Sequence, residues 1–284
     1  MKTWHLIFAL PLLLSACSTA PKKTGETYDL RRRAESQLEL GNKQANHGNL
    51  DNALLFLNEA WRLAALTDDP GLRVRTGLSR GNVLFSLGHR DEAAAGWNDA
   101  LAEASQMGNG ELAAVCRIHI SRGRLLSPNG GEQAQSVRDE VSRDLTLIKS
   151  ERQYVAFAWT VVALAERELG RYAAAETALR RSLDIYEKDF NLELAAYSWF
   201  LIASSRSLSG NYGGARQALE AAIAFDRRVE NSWGLANDWR AMGDVQTKAG
   251  NREAARTAYT RAAEIFRALG YEEAAAAAIS RIGE

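Results

Sequence analysis

Six glycines recur along the chain at an almost constant interval, and this period constrains the fold more than any other feature of the sequence. They are Gly48, Gly88, Gly130, Gly170, Gly210 and Gly250, separated by 40, 42, 40, 40 and 40 residues. Self-similarity at a period of this length is typical of repeat proteins, in which each repeat packs only on its neighbours. The sequence therefore predicts an array of similar units.

Each glycine is preceded by one helical pattern and followed by another. Downstream, an alanine, a bulky residue four positions later and a small residue three further on share one helical face, as in Ala93, Trp97 and Ala100. Upstream, Trp159 and Trp199 hold equivalent positions and are expected to be wedges between helices. Because neither helix of such a unit can bury its apolar face alone, the units must stack.

These tryptophan and alanine columns, with the turn Gly210-Asn211-Tyr212, resemble the tetratricopeptide repeat. The resemblance implies an all-α fold, a right-handed α-solenoid of about six helix-turn-helix units. The units would lie near 34–67, 74–107, 112–148, 156–189, 196–229 and 236–269, followed by a capping helix at 271–282. The period exceeds the family's usual length of about 34 residues, as in its long-repeat variants. The third unit fits poorly, because it lacks the tryptophan and the Leu-Gly pair.

The first sixteen residues have the pattern of a secretory signal. Lys2 precedes an apolar run from Leu6 to Leu14, which is too short to remain as a membrane-spanning helix. Small residues follow this run, as they do before a cleavage site. We therefore expect residues 1–16 to be removed from the mature protein, which leaves its net charge near zero.

The end of this signal, Leu14-Ser15-Ala16-Cys17, resembles the lipobox of bacterial lipoproteins. The resemblance implies that Cys17 carries diacylglycerol and that residues 17–29 form a flexible tether to a solenoid over 30–284. Ser18, by resemblance to enteric lipoproteins, implies the periplasmic face of the outer membrane. The alternative is a secreted protein without lipid, cut after Ala16 or Ala20.

The charge balance argues against nucleic acid as a partner. Lysine and arginine together number 35, as do aspartate and glutamate, so the chain has no basic excess to attract a phosphate backbone. No cofactor is predicted. Cys116 would have no cysteine partner once Cys17 is lipidated, so we expect it to be a small core residue rather than part of a disulfide.

One motif is suggestive of an enzyme, because residues 77–81 read GLSRG and match the GxSxG pattern around a nucleophilic serine. Such a serine needs a sharp turn between a strand and a helix, whereas Ser79 falls inside a predicted helix. His47, His89 and His119 show no spacing to carboxylates that suggests a triad or a metal site. A hydrolase that uses Ser79 is therefore the least favoured hypothesis, and we predict no catalytic residues and no metal.

The resemblance also implies a binding surface, because the first helices of tetratricopeptide units line a concave groove that holds a segment of another protein. Carried over residue by residue, the groove residues are Asn42, Arg75, Asn82, Tyr197, Phe200, Asn237, Arg240 and Asp244. Asn42 and Asn82 would bind a partner's backbone, and Arg75 and Arg240 would bind carboxylates. Tyr197 and Phe200 would supply an apolar anchor.

These expectations combine into a membrane-anchored scaffold of the bacterial cell envelope that binds a segment of another envelope protein in its groove. A second hypothesis is a periplasmic solute-binding accessory protein. In that case a small ligand would lie in a closed pore lined by aromatic residues of units four and five.

Overall fold

The computed structural model of the protein describes residues 26–283, which form thirteen α-helices and no strand. The helices are α1 (Glu26–Asn46), α2 (Leu50–Leu66), α3 (Pro70–Ser86), α4 (Arg90–Gln106), α5 (Gly110–Leu125), α6 (Ala134–Leu145), α7 (Arg152–Glu168), α8 (Tyr172–Lys188), α9 (Leu192–Leu208), α10 (Tyr212–Arg228), α11 (Ser232–Lys248), α12 (Arg252–Ala268) and α13 (Glu272–Ser280). Short 3₁₀ turns lie at Gly130–Gln133 and Arg281–Gly283. Consecutive helices pack in pairs along the chain, so the predicted all-α solenoid is confirmed.

The pairs define six units, from α1–α2 (unit 1) to α11–α12 (unit 6), and α13 covers the end of the stack. The predicted signal peptide and Cys17 lie outside the described residues. Residues 26–29, which the sequence analysis assigns to the tether, are helical. Leu30 packs against the core cluster that contains Ala34, so the first turns of α1 are supported by packing that the sequence analysis did not anticipate.

The recurring glycines lie at the turns inside the units. Gly88 has a backbone φ of +88°, in the left-handed region that favours glycine after a helix. In most turns between units an Asp or Asn side chain caps the next helix; Asp69 Oδ1 accepts a hydrogen bond of 2.9 Å from the Leu72 amide. Unit 3 departs from the pattern, because Asn129, with a φ of +64°, takes the left-handed position instead of Gly130.

In units 1, 2 and 6 a large side chain of the second helix packs against a glycine of the first helix. Trp97 in α4 is only 2% exposed and lies against Gly81 in α3, where an added Cβ atom would come within 2.3 Å of the indole nitrogen. Tyr259 in α12 lies against Gly243 in α11 in the same way. These small residues allow the two helices to approach closely.

The units stack into two layers. The first helices of neighbouring units contact one another (α1 with α3, α3 with α5, α5 with α7, and α9 with α11), while the second helices pack mainly against the first helices on either side. The layer whose helices lie closest together is on the inside of a curved stack. The first helices therefore line the concave side.

Trp159, Trp199 and Trp239 are half-buried between these layers, packed against the core but accessible at one edge. The wedge prediction is thus correct in position, although these rings are not fully enclosed. Cys116 is completely buried in α5, as predicted, and burial raises the pKa of its thiol to about 12. The thiol is therefore protonated and unreactive at neutral pH.

The packing at Gly81 generates a prediction with a matched control. Gly81→Ala forces Trp97 to move and is expected to lower the free energy of unfolding by about 1–3 kcal/mol. Gly96→Ala, in the middle of α4 with open space around its Cα, is expected to raise it by up to about 1 kcal/mol through helix propensity. Chemical denaturation of both variants measures the difference, and equal effects would contradict the packing described.

A closed superhelix with a candidate binding channel

The solenoid curves until its first unit meets its last. In the turn between α1 and α2, Asn46 Nδ2 donates to Glu193 Oε2 at 2.7 Å, and His47 Nε2 lies 3.1 Å from Glu193 Oε1. Glu193 belongs to the first turn of α9, 146 residues further along the chain. Three units of the stack, units 2 to 4, therefore separate the two sides of this contact.

The same turn also reaches unit 6 and the cap. The Tyr271 hydroxyl donates to the Gly48 carbonyl oxygen at 3.1 Å across 223 residues, and a Cβ atom on Gly48 would lie 2.5 Å from the Trp233 ring. The Trp233 and Tyr271 rings pack together with centroids 4.8 Å apart. The first helices therefore surround a central space, which we call the channel.

Two carboxyl groups are buried beside this closure. Asp226 in α10 and Asp238 in α11 form a pair, with Asn231 Nδ2 donating to Asp226 Oδ1 at 2.9 Å. Burial raises the pKa of both carboxyls, and the charge of Asp226 raises the pKa of Asp238 further, to about 9. Asp238 therefore keeps a proton at neutral pH.

Arg122 from α5 lies close enough to Tyr197 from α9, two units further on, for the two side chains to interact electrostatically. Arg122 is half-buried, and burial lowers the pKa of its guanidinium, which nevertheless remains charged at neutral pH. His119, one turn earlier, is buried, and its pKa falls to about 3 through burial and the nearby Arg122 charge, so it is neutral. Arg122 is thus a cation held in surroundings that solvate it poorly.

A second arginine and tyrosine, again from first helices two units apart, also interact electrostatically. The positive charge of Arg75, from α3, acts on the phenol of Tyr154, from α7, whose pKa is nonetheless raised to about 12 by burial. Among the residues that the structure describes, neither Arg75 nor Arg122 forms a hydrogen bond or an ion pair with a side chain. The channel therefore presents two cations whose donors are unoccupied.

The predicted groove residues of units two to five lie on or beside this channel. Asn82 is already engaged, with its Oδ1 3.0 Å from His119 Nδ1, and the His119 ring stacks on Phe157 at a centroid distance of 4.3 Å. Tyr197 and Phe200 stack at 6.3 Å with nearly parallel rings, and Tyr197 is 44% exposed. The structure thus brings Tyr197 and Phe200 together as an accessible aromatic surface, while Asn82 serves an internal contact.

The predicted residues of units one and six are placed differently. Asn42 is exposed on α1. In α11, Asn237 Nδ2 donates to the Trp233 carbonyl at 2.8 Å, and Arg240 Nη2 donates to Asn237 Oδ1 at 2.8 Å. Asp244 accepts hydrogen bonds from the Tyr259 hydroxyl at 2.8 Å and from Arg281 Nη1 at 2.5 Å. Asn237, Arg240 and Asp244 therefore form hydrogen bonds with one another or with neighbouring residues of the fold.

Arg122 and Tyr154 were missed by the sequence analysis. Arg122 lies forty residues after Asn82, which itself lies forty after Asn42, so the period alone could have identified it. The sequence did not indicate Arg122 because the irregular turn of unit 3 obscured the register of its first helix. That irregularity follows α5, and α5 itself keeps the forty-residue register.

The remaining sequence hypotheses concern catalysis and metal binding. Ser79 lies in the middle of α3, far from any strand-to-helix turn, so the GLSRG match is not a nucleophile elbow. Over residues 26–283 there is no group of three or more His, Cys, Asp or Glu side chains that could hold a metal ion. Within the same range, no helix has the length and apolar character needed to cross a bilayer.

Comparison with known proteins agrees with the architecture. The profile of the tetratricopeptide repeat family matches residues 158–189, which cover most of α7 and all of α8. The protein is therefore a helical repeat solenoid, and the part of it formed by residues 158–189 is similar to a tetratricopeptide repeat. No curated protein matches the sequence.

Several solved structures are similar. BtubC from P. vanneervenii has 13% identity and a TM-score of 0.57, with 87% of this chain and 93% of that chain covered. A Rap protein complexed with competence and sporulation factor has 16% identity and a TM-score of 0.60, covering 88% and 74%. PilW, a type IV pilus biogenesis factor, has 15% identity and a TM-score of 0.53, covering 86% and 97%. At such low identities these likenesses establish the fold alone.

The buried acid pair predicts how stability depends on pH. Because the pKa of Asp238 is raised to about 9, the folded protein binds more protons than the unfolded chain above pH 4, so stability is lost as the pH rises through the folded pKa. Between pH 7 and pH 9 we expect a loss of roughly 1–2 kcal/mol in the free energy of unfolding. Asp238→Asn should flatten this slope, whereas Asp51→Asn, on an exposed position, should not. Chemical denaturation at pH 7 and pH 9 measures the free energy of unfolding at each pH. An equal loss in the parent and in Asp238→Asn would contradict the raised pKa of Asp238.

Proposed function

We propose that the protein is a membrane-anchored interaction scaffold of the bacterial cell envelope, whose channel binds a partner segment that carries carboxylate groups. The observation that supports this most is the unpaired state of Arg75 and Arg122. Most other partly buried arginines among the described residues are paired with acids, as in Arg117 with Asp144 at 2.6 Å and Arg206 with Glu176 at 2.7 Å, while Arg80 and Arg240 donate to asparagines. Within residues 26–283, Arg75 and Arg122 have no acidic partner, so they are the arginines best placed to bind the anion of a ligand.

A carboxylate is the group that these arginines suit best. The guanidinium presents its donors in a planar fork that matches the two oxygens of a carboxylate. A hydrogen bond to a charged group contributes about 1.5–3 kcal/mol, and the enclosed position of Arg122 reduces its competition with water. An acidic segment would also relieve the unfavourable burial of an unpaired charge.

The neighbouring aromatic surface supplies the apolar part of the site. Tyr197 is near Arg122 and stacks with Phe200. Aromatic and arginine side chains together are typical of the residues that dominate binding energy at interfaces. We therefore expect the partner segment to combine an acidic residue with an apolar one.

A small anionic solute is a second candidate ligand, and the closure of the superhelix favours it. The contacts of Tyr271 with Gly48 and of His47 with Glu193 join the two ends of the array, which limits the openings into the channel. A solute such as a carboxylic acid needs no long groove. The Rap protein, which has a similar fold, was solved in complex with a factor. That complex supports the proposal that a solenoid of this kind can hold a ligand.

The membrane anchor rests on the sequence around Cys17, which lies outside the described residues. Two or three acyl chains on the lipidated cysteine would hold the protein firmly, at about 0.8 kcal/mol for each buried methylene group. Ser18 favours the outer membrane, where the solenoid would reach periplasmic or envelope partners through its tether. The envelope location is part of the proposal.

The channel proposal is tested by selecting binders from a random peptide library on the mature protein. We expect the selected peptides to be rich in Asp and Glu, and each of Arg75→Met and Arg122→Met to weaken their binding by about tenfold or more. Arg227→Met and Arg228→Met, on exposed positions of α10, are the matched controls and should leave affinity unchanged.

Three results separate the candidates. Peptides without acidic residues, or peptides that bind the Arg75→Met and Arg122→Met variants as well as the parent, would contradict the channel proposal. If no peptide is selected but citrate or another small carboxylate binds the parent and loses affinity in the same variants, the solute-binding candidate is correct.

The anchor is tested separately by metabolic labelling with an alkyne fatty acid in a bacterial host. We expect label on the parent and on Cys116→Ala, and neither label nor membrane association on Cys17→Ser, because only the cysteine at the predicted cleavage site is acylated. Label that persists in Cys17→Ser, or an unlabelled soluble parent, would show that the lipobox assignment is wrong.

A further inference from the structure

The tryptophan column of the repeats is interrupted in unit 2. Trp159, Trp199 and Trp239 hold the same position in α7, α9 and α11. The corresponding residue of α3 is Gly77, 82 residues before Trp159, the same separation as between the turn glycines Gly88 and Gly170. Unit 2 therefore has no side chain where three other units have an indole.

In the other units this position is filled and covered. The Arg181 guanidinium lies over the Trp159 ring at 4.3 Å, and that of Arg261 lies over the Trp239 ring at 4.6 Å. Both arginines belong to second helices, so the rings lie on the outer side of the first helices, away from the channel. In unit 3 the position is held by Arg117, whose Nη2 donates to Asp144 Oδ1 at 2.6 Å.

At Gly77 the same place is an open cleft of about 340 Å³, which we call the unit 2 socket. Its lining includes Trp61, Arg73, Gly77, Arg80, Asp99 and Glu103. Nothing in the surrounding packing requires a glycine, because a Cβ atom on Gly77 would meet only Ala100 Cβ at 3.8 Å and a carbonyl oxygen at 4.0 Å. A cleft of this volume is at the lower end of the range found for ligand sites.

The polar groups of the socket are incompletely satisfied. Arg73 pairs with Glu103 through Nη2, but its Nε is buried and has no hydrogen-bond partner within the described part of the chain. Arg80 Nε is engaged, donating to Asn58 Oδ1 at 2.7 Å. A buried donor without an acceptor is costly, so Arg73 Nε favours an occupant that brings an acceptor oxygen.

The socket also differs from the equivalent positions of the other units in the charge of one neighbouring residue, which is negative in unit 2 and positive in unit 4. The residue equivalent to Arg181 is Asp99, again 82 positions earlier. A carboxylate does not favour the face of an aromatic ring, but it accepts a hydrogen bond from an indole N–H. Trp61, which is 48% exposed, supplies an aromatic wall at the edge of the cleft.

We propose that the unit 2 socket is a docking site for a tryptophan side chain presented by a segment of a partner protein, with its indole N–H on Asp99 and a backbone carbonyl of the segment on Arg73 Nε. We infer a tryptophan because Trp159, Trp199 and Trp239 occupy the equivalent positions of units four to six. Because the socket lies on the outer layer, between α2 and α4, it is independent of the channel and of any ligand bound there.

The test uses two probe peptides, Ac-GSWSG-NH2 and its alanine analogue Ac-GSASG-NH2, titrated into the full chain and followed by ligand-observed NMR. We expect the tryptophan peptide to bind and the alanine peptide not to bind. Gly77→Trp fills the socket from within and should weaken binding at least tenfold while raising the Tm. Gly213→Trp, which adds an indole to open space on α10, should change neither.

Trp61→Ala provides a second variant in case Gly77→Trp folds poorly, since an exposed side chain can be truncated without opening the core; it should weaken binding at least threefold. Equal binding of the two peptides, no binding of the tryptophan peptide to the parent, or undiminished binding to Gly77→Trp or Trp61→Ala would overturn the proposal. Free indole binding as tightly as the peptide would overturn the assignment to a partner segment.

Discussion

The structure depends on the contact between a glycine of the first helix and a large side chain of the second helix, as in Gly41 with Leu57, Gly81 with Trp97 and Gly243 with Tyr259. This contact sets how closely the two layers approach. Because it recurs at a fixed spacing, the same small rotation is repeated at every unit, as in other solenoids. The accumulated curvature brings the α1–α2 turn onto the ends of units five and six, where Tyr271 and Gly48 meet.

Closure has a chemical consequence for the concave side. Side chains from α3, α5, α7 and α9 come close enough to interact electrostatically, so Arg122 and Arg75 each act on a tyrosine from two units away. Holding an unpaired guanidinium in such a place costs stability, and residues of this kind are concentrated at functional sites. On the outer layer, the tryptophan position of the described repeats is vacant at Gly77, and the cleft there forms the second candidate surface.

Much of the fold is readable in the sequence because its determinants are local. The forty-residue period, the turn glycines and the alanine columns predict the helices, and the structure confirms them. Closure was not predictable, since the contact between His47 and Glu193 joins residues 146 positions apart and arises from summed rotations that no motif encodes. For the candidate site, the resemblance predicted Tyr197 and Phe200, which the structure stacks as an accessible surface, but not the internal contact of Asn82 with His119. Nor could it show that Arg281, beyond the cap, engages Asp244.

Closure of the superhelix around a channel is the central claim, and a distance measurement in solution tests it most directly. Spin labels are attached at Asp51→Cys and Glu272→Cys, two exposed positions beside the contact of Gly48 with Tyr271. The labelled protein also carries Cys17→Ser. Cys116 is buried and should not react with the label. Double electron–electron resonance should give one short, narrow distance distribution. A long or broad distribution would show an open solenoid and would contradict the account.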